Sequence, residues 1–111
     1  MTEQLVVARQ RIRDARLVLD GADKSEAVGL AIEALQAAEV LAGEVPSDLS
    51  GGVDAFADLV ALRNELTCCL IAVLQVREAG VATDVVLGIL RRGAETAEGM
   101  LDALTGSLER V

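Results

Sequence analysis

Apolar residues recur along most of the chain at intervals of three and four, the spacing of one face of an α-helix, and nowhere alternate as in a half-buried strand. Leu5, Ala8, Ile12, Ala15, Leu19 and Ala22 form a single narrow row of coiled-coil type. The next run is apolar over more than half its circumference. Val28, Ile32 and Leu35 make one edge, Leu30, Ala34, Ala37 and Leu41 the other, and Ala27, Ala31, Ala38 and Ala42 lie between them. Small residues between larger ridges let neighbouring backbones approach closely, so this helix is expected to be interior, with more than one neighbour.

The third run carries Ala55, Leu59, Leu62, Leu66, Leu70 and Val73 on one face, with Phe56 and Leu74 beside them. Val60 and Ile71 widen that arc, which leaves the side with Asp54, Asp58 and Glu65 for solvent. In the fourth run Val86, Leu90, Gly93, Ala97, Leu101, Leu104 and Leu108 form another row, opposite Arg91, Glu95, Glu98 and Asp102. Gly93 and Ala97 leave a notch in that row, shaped for a bulky side chain, another helix or an apolar ligand.

Glycines mark the stops: Gly21, Gly43 and Gly80 each follow a helical run, as C′ residues do. Asp23 with Glu26 makes a capping box, Ser50 or Gly52 opens the third run, and Thr83 with Asp84 opens the fourth. Glu44 to Gly52, with Pro46 and paired glycines, reads as the longer loop. Helices are thus expected at about 3–20, 24–43, 53–79 and 83–110.

Four amphipathic helices with short turns predict an all-α fold, an antiparallel four-helix bundle occupying 1–111 as one domain. At ~1.5 Å per residue the last two helices outreach the first two by roughly 10 Å. The longer pair then overhangs, leaving apolar surface that dimerisation or a helical protein partner would cover. The alternative reading takes Gly21 and Gly80 as mere kinks in one long hairpin that pairs with a copy of itself.

Composition narrows the chemistry. Eighteen acidic residues against ten basic give a net charge of −8, so nucleic acid and anionic membrane surfaces are repelled overall. No histidine, tryptophan or tyrosine is present and Phe56 is the single aromatic, which removes imidazole relays, imidazole metal ligands and stacking platforms. Ser25, Ser47, Ser50 and Ser107 have no histidine base, and no P-loop, EF-hand or Rossmann fingerprint occurs. No catalytic activity, cofactor or metal is indicated. The N-terminus has no apolar stretch behind a basic one, and the longest unbroken apolar run, 68–74, is far shorter than a membrane span. Adjacent Cys68 and Cys69 point about 100° apart on a helix and read as reduced thiols of a cytoplasmic protein.

Two charged features stand out. Arg63 falls between Leu59, Leu66 and Leu70, where it must snorkel or find a carboxylate; Glu39, which extends the Val28/Ile32/Leu35 edge, is the candidate partner for a register-fixing pair. Arg9, Arg13 and Arg16 share a stripe of the first helix and are weak candidates for contacting an anion, against the plainer reading of a solvated flank balancing acidic residues 21–50.

The size and central loop resemble those of the small secreted Trp-x-Gly helical hairpins, although the chain has neither Trp-x-Gly nor a tyrosine. Gly106-Ser107-Leu108 resembles the G-S-L element of encapsulin cargo-loading tails, here continuing the row of the fourth helix. The expected function is therefore an acidic helical module for protein–protein contact, as a homodimer or with another helical protein. The alternatives are a binder of an apolar small molecule or lipid chain at the Gly93–Ala97 notch, with Leu101, Leu104 and Leu108, or an acidic inhibitor masking a basic partner.

Overall fold

The computed structural model of the chain describes residues 3–21, 23–45 and 52–109. Four helices fill them: α1 (Glu3–Leu19), α2 (Lys24–Gly43), α3 (Gly52–Glu78) and α4 (Thr83–Glu109), with no strand among the described residues. The all-α bundle is therefore the fold. Ala22 and most of the expected long loop, including Pro46, Ser47 and Ser50, lie outside the described residues.

Local chemistry explains the helix ends. The Asp23 carboxylate accepts from the Glu26 backbone N–H at 3.1 Å, satisfying one of the orphan donors of α2. Gly80 has φ +74, and its N–H and that of Val81 reach back to Arg77 and Val76 at 3.1 Å each, a Schellman stop that leaves the chain free to reverse. The expectation for the other two glycines needs correcting. Gly43 is the last residue of α2, with Glu44 as its right-handed C-cap, and Gly21 has no positive φ. Thr83 already lies inside α4, since Ala82 accepts the first helical bond from Val86. α1 packs back on α2 and α3 on α4, so the single long hairpin is not the structure.

Consecutive helices run antiparallel and form a ring in which α1 also meets α4. Cross-helix contacts fix the directions. Arg9 reaches Asp102 and Arg16 reaches Glu98, so α1 and α4 are antiparallel; Lys24 and Asp84 join the N-terminal ends of α2 and α4, which run parallel. The ring is not square. α2 and α4 touch across the diagonal, whereas the backbones of α1 and α3 stay apart, and the body is flattened to 24 by 18 Å across its 45 Å length.

The small residues make that diagonal approach sterically feasible. Ala27, Ala31, Ala38 and Ala42 of α2 and Gly93, Ala94 and Ala97 of α4 are all buried. Larger side chains fill the space around them: Leu5, Ile12 and Leu19 from α1, Leu35 from α2, Leu59, Leu62, Leu66 and Val73 from α3, Leu90, Leu101 and Leu104 from α4. The notch at Gly93 is occupied by the chain itself. A methyl placed on Gly93 would collide with Cys69 Sγ and come within 3.0 Å of its Cβ.

Gly93→Ala should therefore destabilise the fold by roughly 1–2 kcal/mol, overpacking outweighing the ~1 kcal/mol gain in helix propensity. Cys69→Ala in the same chain should restore most of the loss. Denaturant unfolding of both single variants and the double variant checks it; additive effects would mean the two residues do not share that space.

Candidate functional site

The arginine stripe of α1 is largely consumed within the fold. Arg9 donates to Asp102 at 2.8 Å and to the Thr105 hydroxyl at 3.1 Å, and Thr105 in turn donates to the Leu101 carbonyl at 2.9 Å. Arg16 lies 3.2 Å from Glu98, while Arg13 remains exposed between its two neighbours. Arg91 of α4 donates to the Leu19 carbonyl at 2.8 Å, capping the last turn of α1. Arg9 and Arg16 thus balance carboxylates of α4 and not the acidic second segment. Their guanidinium groups serve as straps across the α1–α4 seam.

The expected Arg63–Glu39 pair is not formed. Glu39 accepts from the Thr67 hydroxyl at 2.8 Å, and Arg63 is exposed, its guanidinium 4.0 Å from where a Cβ would sit on Gly43. The reason is angular: Leu62 and Leu66 take the core positions of α3, which turns Arg63 toward the C-terminal end of α2, where the helix dipole favours a cation. Lys24 donates to Asp84 at 2.8 Å, and the ammonium beside it holds the Asp84 carboxyl below its usual range.

Of the residues proposed as an interface or notch, Gly93, Ala97, Leu101 and Leu104 are buried inside the bundle and Leu108 is partly buried against it. That row is core. Gly106 to Leu108 continue α4 in helical geometry. The described surface grooves lie elsewhere, one lined by Ser25, Val28, Arg77 and Val86, others along α1 beside Arg13. Among the described residues no three acidic or cysteine side chains are placed to hold a metal ion.

Uncovered apolar side chains occur on every helix, among them Val6 and Leu17 of α1, Leu30 and Val40 of α2 and Val85 of α4; α3 carries four along one side. Val53 is 84% exposed, Phe56 43%, Ile71 49% and Leu74 50%, and Val60 is partly buried between them. With Arg63, Asn64 and Thr67 these residues form one stripe along the outer side of α3, beside α2. The sequence reading counted Phe56, Val60, Ile71 and Leu74 as flanks of the core and passed over Val53. Their own three-and-four spacing was the available signal of a second face. By length and composition Val53–Glu78 is also apolar enough to cross a membrane, a property that the search for unbroken apolar runs missed. A third of the most apolar window is nevertheless buried against the bundle, and Arg63 and Glu65 sit mid-helix.

No family model, curated protein or solved structure matches this chain.

The paired cysteines differ sharply in their surroundings. Cys69 is buried, and its thiol donates to the Ile89 carbonyl at 3.7 Å. Burial, with the nearby Glu65 carboxylate adding to it, pushes the thiol up to about 11, so it stays protonated and unreactive. Cys68 is exposed. At pH 8 a disulfide reagent should titrate one thiol per native chain quickly and the second only on unfolding. Two fast thiols would contradict the packing of Cys69 against Gly93.

Proposed function

We propose that this protein is a non-catalytic helical interaction module whose contact surface is the outer stripe of α3. One observation carries the reading: Val53 and Phe56 toward one end of the 27-residue α3 and Ile71 and Leu74 toward the other are large apolar side chains exposed on one stripe, with partly buried Val60 between them. A helix accepts another helix along such a stripe by the same packing that builds its own core. Exposed apolar residues scattered singly would need no partner, whereas apolar pairs sharing one stripe favour one. The straps on α1 and the filled notch on α4 favour α3 over the other faces as the place of contact.

A photo-reactive amino acid placed at Leu74, on the stripe, or at the exposed Gln10 of α1, which does not touch α3, tests the reading in cells that make the protein naturally. Irradiation should join the Leu74 variant to a protein chain, whether a copy of itself or another, and leave the Gln10 variant largely unjoined. Equal yields from the two positions, or adducts with lipid from Leu74, would contradict it.

A further inference from the structure

The outer stripe of α3 is symmetric about its own midpoint. Val53 and Leu74, Phe56 and Ile71, and Val60 and Thr67 lie pairwise at equal distances from a point between Arg63 and Asn64. We infer that the occupant of this stripe is a second copy of the chain, its α3 antiparallel to the first and the two-fold axis passing between Arg63 and Asn64. This rests on the interaction reading above and names the partner within it.

A two-fold contact must match a surface to its own inverted image. The stripe meets that requirement along its length. Val53 of one copy would face Leu74 of the other, Phe56 would face Ile71, and Val60 the methyl-bearing Thr67. A stripe shaped for an unrelated helix has no need of this symmetry. At the midpoint stands Asn64, the single asparagine of the chain and a residue type that fixes register and partner number when placed inside a helix pair. No acidic residue of α3 interrupts the stripe, although the chain carries eighteen, and the Glu39 carboxylate of α2 at its edge is held by the Thr67 hydroxyl.

The length of α2 points to the same axis. Its last residue, Gly43, lies beside Arg63, so residues 52–62 of α3 run roughly three turns past its end. The axis therefore falls where α2 stops.

Cysteine pairing in the purified full-length chain tests the geometry, with exposed Cys68 replaced by serine and buried Cys69 retained. Phe56→Cys and Ile71→Cys are made separately at positions already half exposed, and circular dichroism confirms that each variant keeps its helices. In oxidised glutathione, neither should pair with itself, because each lies ~22 Å along the helix from its own symmetry mate. A mixture of the two should form the Phe56→Cys/Ile71→Cys disulfide, and Asn64→Cys, next to the axis, should pair with itself.

Self-pairing of Phe56→Cys without the mixed product would mean a parallel contact and overturn the axis. No pairing in any sample would overturn the second copy as occupant. Either result leaves the broader reading standing if Leu74 still joins a different protein on irradiation. Failure at Leu74 as well would remove both.

Discussion

The close diagonal contact between α2 and α4 is the constraint from which the rest of the architecture follows. A four-helix ring with equal side chains on all inner positions would be square. Here alanines on one diagonal helix and Gly93, Ala94 and Ala97 on the other remove the bulk that would hold those helices apart. The pair moves together, the cross-section flattens, and α1 and α3 are left at the far corners, out of reach of one another. Leucine and isoleucine side chains from the corners then fill the two flanking spaces, and Cys69 enters the gap at Gly93. A corner helix keeps more of its circumference uncovered than a diagonal one.

The two corners meet that exposure differently. α1 carries a narrow apolar row with arginines beside it, and Arg9 and Arg16 lie across to Asp102 and Glu98 while Arg91 closes its last turn. Such pairs on a half-exposed seam contribute modestly to stability, but they fix the register of α1 on α4. Val6, Val7 and Leu17 nevertheless stay exposed on α1. α3 is apolar on its core face and exposes Val53, Phe56, Ile71 and Leu74 along its outer side, surface suited to another helix. On the interaction reading proposed above, the exposed side chains of the α3 corner would be what lets a small bundle associate.

Much of the fold was legible in the sequence because helices and their inward rows are set by local periodicity and by capping chemistry at Asp23 and Gly80. The small-residue seams on α2 and α4 were visible too, and they announced close helix approach. What local patterns do not carry is the angle at which helices meet. Arg63 looked like a residue between core leucines, and only the rotation of α3 that points Leu62 and Leu66 inward sends it toward Gly43. Glu39 faced the right helix and found Thr67 instead. The notch at Gly93 was readable as a space, but its occupant lies 24 residues away in sequence, on a helix whose register nothing local fixes. The outer row of α3 was hidden for a related reason: a helix apolar on two faces looks in sequence like one with a single wide face.

The most direct test of the account is the absolute mass of the purified chain in solution, by size exclusion with light scattering over a dilution series. A chain whose α3 stripe is closed by a second copy should hold about 23 kDa, twice its 11.6 kDa, until dilution reaches the dissociation range. It should fall to the single-chain mass when Ile71 and Leu74 are both changed to glutamate. A mass of 11.6 kDa at every concentration would contradict self-association through α3.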